Sequence, residues 1–247
     1  LLSLEKGESI AAVIATKDFP KEEYLMFATS AGMVKKTSMS LYDRTRRDGL
    51  IAINLNDGDE LISVKRVSDG EKVFMVSSAG KAIVWDESEA RAMGRDTKGV
   101  RGMKVPADEH VLEMSIAKPQ ADLFVITEKG YGKRTSVYEY PLHHRGGQGV
   151  YTITMTRKKG ELAAAKIVTD DEELIIITNE GVVVRTPVKG VSKLGRSTQG
   201  VRIMNVVDKD KVRAVGIADD GKGRKHKRVG GKTDDLDIDV DGDEGDL

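Results

Sequence analysis

The sequence predicts an all-β, propeller-like fold of four-stranded blades, with no significant helix. Three observations carry this. Two glycine series keep step along the chain: Gly32, Gly80, Gly130 and Gly181 lie 48, 50 and 51 residues apart, and Gly49, Gly99, Gly149 and Gly200 lie 50, 50 and 51 apart. Four apolar runs of one shape surround the first series: "YLMFATSAGMVKKT" (24–37), "VFMVSSAGKAIVW" (73–85), "LFVITEKGYGKRT" (123–135) and "LIIITNEGVVVRT" (174–186). No stretch shows the 3.6-residue period of an amphipathic helix. A repeat of this length with four strands per unit indicates radial blades.

Each unit is expected to open on an acid-led strand: "GESIAAVIA" (7–15), "GDELISVKRV" (58–67), "DEHVLEMSIA" (108–117), "GELAAAKIV" (160–168) and "KDKVRAVGIA" (209–218). An apolar strand follows, then a tight turn at the hinge glycine, which supplies a positive φ without steric cost. A more polar strand comes next, then a loop of roughly a dozen residues, then a short last strand such as "GVRGMKV" (99–105). The unbroken apolar run Leu174–Ile177 predicts a strand buried on both faces. Residues 1–218 thus form the repeat region, with four full blades. "LLSL" at the start reads as the close of an earlier unit, and 209–218 as the opening strand of a fifth. Residues 219–233, "DDGKGRKHKRVGGKT", read as a basic flexible linker, and 234–247 as an acidic disordered tail.

The 247 residues include no cysteine, which excludes disulfides and thiolate metal sites. No run approaches the roughly 18 apolar residues of a membrane span. The start has no basic, cleavable leader, so a soluble cytoplasmic protein is expected. Net charge is zero but uneven: residues 232–247 hold eight of the 40 acids and one of the 40 bases, leaving 39 bases and 32 acids, a net of +7, on the other 231. A basic body with an acidic tail points to a polyanion partner and to a tail that competes for the same surface.

The loop "HHRGGQG" (143–149) has relatives. Arg145 sits four residues before Gly149, as Arg95 does before Gly99 and Arg196 before Gly200. The first unit has Thr45 there, flanked by Arg44, Arg46 and Arg47. A phosphate-binding P-loop needs Lys-Ser/Thr and a following helix, and neither is present. His143 and His144 are adjacent, face opposite sides of an extended chain and have no further ligand spacing, so no metal is expected. The tail mimics a calcium loop at Asp237, Asp239, Asp241 and Gly242 but lacks the closing glutamate.

The polar strands add Lys35 and Lys36, Lys133 and Arg134, and Arg185. The second unit has Ile83 and Val84 instead, with Lys81, Arg91, Arg95, Lys98 and Arg101 nearby, and the later loops add Lys193 and Arg202. Charges that merely keep strand edges from pairing would serve equally well as glutamates. Basic residues recurring at equivalent positions instead predict a curved positive rim. Phe, Tyr and Trp make up only 4% of the chain, too few for stacking single strands. Duplex phosphates fit better, held by Lys, Arg and the backbone N–H groups of Gly146, Gly147 and Gly149, beside Gln148. Tyr131, Tyr138 and Tyr140 are expected to pack within strands rather than act as nucleophiles. A protein scaffold receiving acidic partners on the same rim is the alternative of another class.

"NEGVVVRT…LGRSTQGV", "ARAMGRDTKGVRG" and "EKGYGKRTSVYEYPLHHRGGQGV" resemble the C-terminal domain of the bacterial DNA gyrase A subunit, from residue 1 to about 218. The resemblance implies a six-bladed β-pinwheel whose blades exchange strands, and duplex DNA wrapped around its rim with a fixed hand. It implies no catalytic residue and no cofactor in this segment, ATP and Mg acting elsewhere in the holoenzyme. The implied partners are double-stranded DNA, the gyrase B subunit and the N-terminal part of the gyrase A subunit in an A2B2 assembly in the bacterial cytoplasm, at the nucleoid, the isolated domain being a monomer. The family's box, Gln-Arg-Arg-Gly-Gly-Lys-Gly, lies in a first blade, so about two blades would precede residue 1. Arg145, Gly146, Gly147 and Gly149 match that box; His143, His144 and Gln148 replace its Gln, Arg and Lys. The two histidines carry charge only below about pH 6.5. The corresponding domain of topoisomerase IV shares the blades but usually has degenerate boxes.

Overall fold

The computed structural model of the chain describes residues 10–43 and 49–219. Fifteen strands run through them: β1 (Tyr24–Thr29), β2 (Met33–Ser38), β3 (Leu61–Val67), β4 (Lys72–Ser77), β5 (Lys81–Asp86), β6 (Val100–Arg101), β7 (Val111–Ile116), β8 (Asp122–Thr127), β9 (Tyr131–Ser136), β10 (Val150–Tyr151), β11 (Leu162–Val168), β12 (Glu172–Thr178), β13 (Val183–Pro187), β14 (Val201–Arg202) and β15 (Val212–Asp219). Helix is limited, among the described residues, to 3-10 turns of three or four residues. No helix among them is long and apolar enough to cross a membrane. The all-β blade architecture is the one the periodicity predicts.

The sheets are antiparallel, in the orders β3-β1-β2-β6, β7-β4-β5-β10, β11-β8-β9-β14 and β15-β12-β13. Each is centred on a hairpin turned at a hinge glycine, Gly32, Gly80, Gly130 and Gly181, at φ +82, +74, +78 and +81°. The acid-led strands lie innermost, where β3 packs on β7, β7 on β11 and β11 on β15. The fourth, outermost strand of the first three sheets comes from the next repeat: β6 pairs with β2, β10 with β5 and β14 with β9. Neighbouring blades therefore exchange strands.

This pairing corrects the phase of the repeat. An acid-led strand closes the hairpin before it in the chain rather than opening the next: Tyr24 of β1 is opposite Val67 of β3, and Glu172 of β12 opposite Asp219 of β15. Residues 209–218 accordingly complete the fourth sheet and do not begin a fifth. In "GESIAAVIA" the described residues, 10–15, form no strand, and no partner hairpin precedes them among the described residues.

The core is three apolar layers between sheets. On β4, Val73 and Met75 face the first sheet while Phe74 and Val76 face the third. On β8, Leu123 and Val125 face the second sheet, Phe124 and Ile126 the fourth. Strand alternation sends successive side chains into different layers, so a strand between two sheets is apolar throughout. Each such Phe or Ile contributes roughly 1.5–3 kcal/mol by burial. β8 is buried along its whole length, but β12 is not: Leu174 and Ile176 are buried, Ile175 and Ile177 only partly. The fourth sheet packs on the third alone among the described residues, so the expectation of two buried faces holds for β8 and fails for β12.

Candidate nucleic-acid interface

The loops between each polar strand and the following two-residue strand lie along the outer edge of the preceding sheet. Their start is pinned by one bond in each repeat: the N–H of Met93, His143 and Leu194 donates to the carbonyl of Lys36, Val84 and Arg134 at 2.9, 2.7 and 2.9 Å. Their exit is pinned by β6, β10 and β14. The exit glycines pack against strand carbonyls; at Gly149 (φ +72°) a Cβ would sit 2.3 Å from the Ala82 oxygen. Such proximity admits only glycine.

The loops are also stitched to one another. Five residues past Gly49, Gly99 and Gly149, the N–H of Asn54, Lys104 and Thr154 donates to the carbonyl of Thr97, Gly147 and Thr198 at 3.0, 2.8 and 3.0 Å. The loop arginine reinforces the stitch. Arg95 donates to the Ile51 carbonyl at 3.2 Å and Arg145 to the Arg101 carbonyl at 3.0 Å, 44 residues back in both cases. Arg145 also donates from Nε to the Glu89 carbonyl at 2.9 Å, while its N–H donates to the Glu89 carboxylate at 3.0 Å. Arg196 instead stacks over the Tyr140 ring at 5.9 Å, and its N–H donates to Glu139 at 3.3 Å. All three loop arginines are half-buried, so each is both a loop brace and a partly exposed cation.

Arg91 and Lys98 on these loops and Arg101 at the end of β6 are exposed, and their side chains form no ion pair or hydrogen bond among the described residues. Arg202 is exposed at β14, donating to Tyr131 Oη and, at 3.2 Å, to Asn205, with its guanidinium 5.1 Å from the Tyr131 ring centre. That bond lowers the phenol's pKa. Lys81 lies 5.4 Å over Tyr151 and reaches Gln148 at 3.5 Å. His144 is almost wholly exposed beside Glu89 at 3.2 Å; His143 is half-buried. Lys193 is exposed but pairs with Asp122 at 2.7 Å.

Four of the expected rim cations point inward. Lys35 and Lys133 are fully buried and Lys36 nearly so. Lys36 forms a buried ion pair with Glu87 and sits 4.4 Å over Tyr24. Arg134 is bound to Asp122 at 3.0 Å, to Asp170, and to the Val191 carbonyl at 2.9 Å. Arg185 is exposed but paired with Glu173. For Lys35 and Lys133 the reason is positional: they are equivalent by repeat to Ile83 and Val184, and in the first three repeats the position faces the underside of the next repeat's loop, whereas Lys36 and Arg134, one residue further on, are held by carboxylates. Arg44, Arg46 and Arg47 lie outside the described residues, as do the tail and all but the first residue of the linker. Of the three tyrosines only Tyr140 packs inside, edge-on to Phe74 at 5.3 Å, and burial pushes its hydroxyl up to about 12. Tyr131 and Tyr138 stand at the surface.

Sequence reasoning missed Lys104, which is exposed beside the stitch, and Lys159, which donates to the Gln199 carbonyl at 3.0 Å and lies 4.8 Å over Tyr131. It also missed the braces Glu89 and Glu139, each nine residues past a hinge glycine; that shared spacing was the available signal.

Radial sheets that trade edge strands and carry a stitched row of cationic glycine loops define a propeller-class repeat domain. Four copies of one family profile fit it, over residues 23–68, 71–118, 121–169 and 172–219, each beginning at a hairpin and ending on an acid-led strand. The chain belongs to that family, the DNA gyrase C-terminal domain, beta-propeller. The DNA gyrase A subunit of Mycolicibacterium smegmatis is 41% identical over 236 residues, 95% of this chain and 27% of that protein. That of Salmonella typhimurium is 39% identical over 243 residues, 98% of this chain and 26% of that protein. The chain thus spans about a quarter of these relatives. A solved DNA gyrase A C-terminal domain superposes with a TM-score of 0.73 at 28% identity, over 82% of this chain and 68% of that one. A topoisomerase IV C-terminal domain gives 0.82 at 23% identity, over 87% and 68%, a likeness of fold alone.

Proposed function

We propose that this chain binds duplex DNA along its stitched outer loops and wraps it, as the non-catalytic DNA-wrapping part of a DNA gyrase A subunit. The observation that carries this reading is the repeated stitch, Asn54 to Thr97, Lys104 to Gly147 and Thr154 to Thr198, which joins successive cationic loops into one unbroken strip. A stiff duplex needs such a strip, because bending 20–30 bp by 40–90° costs roughly 1–6 kcal/mol that spaced phosphate contacts must offset. Arg91, Lys98, Arg101, Lys104 and Arg202, with partial exposure of Arg95, Arg145 and Arg196, supply the positive charge. The wrapped segment would serve a type II topoisomerase that introduces negative supercoils, with the gyrase B subunit and the rest of the gyrase A subunit as partners in an A2B2 assembly in the bacterial cytoplasm. ATP and Mg would act on those other parts.

Binding of labelled duplexes of increasing length, across a salt series, tests this. Affinity should rise with duplex length, depend little on sequence, and fall with a log–log slope of about −0.9 per phosphate neutralised. Equal or tighter binding of an acidic polypeptide, with no length dependence on DNA, would favour the protein-scaffold alternative and overturn the reading.

A further inference from the structure

Lys35 and Lys133 hold something specific. The Lys35 ammonium donates to the carbonyls of Ala52 and Arg95. The Lys133 ammonium donates to the carbonyls of Gly195 and Arg196, the latter at 2.8 Å, and to Thr198 Oγ1 at 2.9 Å. In both cases the gripped group is the main-chain carbonyl of the loop arginine, on a loop sent over by the next repeat. These two loops share one sequence, Gly-Arg-x-Thr-x-Gly, as "GRDTKG" (94–99) and "GRSTQG" (195–200). Each closes the same small turn, Thr97 Oγ1 to Gly94 O at 3.0 Å and Thr198 Oγ1 to Gly195 O at 2.9 Å. The remaining loop, "HRGGQG" (144–149), lies over Ile83 and has Gly-Gly in place of x-Thr. Lysine beneath and threonine above thus occur together, and so do isoleucine and glycine.

A trans peptide points its N–H away from its C=O. With the arginine carbonyls drawn inward to an ammonium, the N–H groups of Asp96 and Ser197 point outward, and neither has an acceptor among the described residues. We propose that Lys35 and Lys133 are positioning residues: each buried ammonium fixes an arginine loop of the next repeat so that the loop's outer surface, Ser197 N–H above all, is presented to a phosphate that the lysine itself cannot touch. The inference rests on the DNA reading above for the phosphate, but not for the grip. Arg95 and Asp96 are the charged groups facing Lys35, and Glu139 and Arg196 those facing Lys133. Burial, reinforced by the adjacent guanidinium, pulls both ammonium groups down to about 8, as expected of groups held out of water.

The test uses Lys133→Met and Lys35→Met, with amide exchange, duplex affinity and the salt slope measured together. Lys133→Met should speed exchange at Arg196 and Thr198 about tenfold, the loss of a charge-assisted bond, while Arg145 and Gly146 stay unchanged. Lys35→Met should leave the 195–200 loop protected. If the chain binds duplex DNA, Lys133→Met should flatten its log–log slope by about 1, the signature of one lost phosphate contact. Unchanged exchange at Arg196 and Thr198 overturns the grip whether or not DNA binds. Altered exchange with an unchanged slope overturns the phosphate role alone. Absence of DNA binding in the unmodified chain overturns the underlying reading and leaves the exchange result to decide the grip. Should a variant fail to fold, nitrogen-15 spectra of the unmodified chain decide it: Lys35 and Lys133 should show slowly exchanging ammonium signals, and their absence overturns the grip.

Discussion

Gly149→Ala and Gly49→Ala make the same substitution at equivalent repeat positions and nearly equal φ, +72 and +77°. They should differ because their surroundings differ. Both place alanine in the left-handed region, at about 1–2 kcal/mol. At Gly49 no described atom lies within 4 Å of the added Cβ, so among the described residues that strain is the whole effect. At Gly149 the Cβ would lie 2.3 Å from the Ala82 oxygen, 2.6 Å from its carbon and 3.0 Å from the Ile83 nitrogen. These are backbone atoms of a central strand and cannot turn aside, so β10 must lift off β5, where Val150 pairs with Ala82 and Tyr151 with Lys81. Losing that bonding adds roughly 1–3 kcal/mol, for a total of about 2–5. At about 2–4 °C per kcal/mol, Gly149→Ala should lower Tm by roughly 4–20 °C and Gly49→Ala by roughly 2–8 °C, the contact at Gly149 adding roughly 2–12 °C. Thermal melts of the two variants side by side are the assay. Melting points within about 2 °C of one another would refute the view that the exchanged strand is set by this contact.

Glu87→Ala strands the buried Lys36 ammonium and should cost about 3–5 kcal/mol in a urea melt, whereas Lys36→Met with Glu87→Gln, which keeps an acceptor for the Gly70 N–H, should recover most of it. Lys35 and Lys133 titrate near 8 in the folded chain and near 10.5 unfolded, so in that window the unfolded state holds protons the folded state lacks; stability should rise with pH there, and the rise should vanish in the Lys35→Met, Lys133→Met double variant. Removing residues 234–247, with their eight acids, should raise duplex affinity at low salt, and unchanged affinity would dismiss a competing tail.

The period, the hairpins and the strand class were legible because two glycine series with fixed spacing and four apolar runs mark them directly. The phase was not. A repeat can be cut at any point without changing its period, and only pairing shows that β3 belongs with β1. The short last strand was expected at 99–105 and its exchange was implied by the resemblance, but the residues themselves do not show which sheet it joins: Val100–Arg101 and its equivalents are two residues long and carry no periodicity of their own. The loop arginines were found at their correct equivalence, but their bracing role depends on carbonyls 44 residues away. The buried lysines were misread as rim charges because lysine at a strand position ordinarily reaches solvent. Their true direction was present in the sequence, since Ile83 and Val184 occupy the same place in the other repeats and mark it as inward-facing.

Whether the stitched loops carry a curved duplex is tested most directly by DNA topology. A nicked plasmid is sealed by ligase with the chain bound, stripped of protein and resolved by topoisomer. The account predicts a positive linking-number shift that grows with protein, fades with salt, and is reduced more by charge reversal at Arg95, Arg145 and Arg196 than at Lys17 and Lys21. No shift, or equal losses from both sets of reversals, would contradict it.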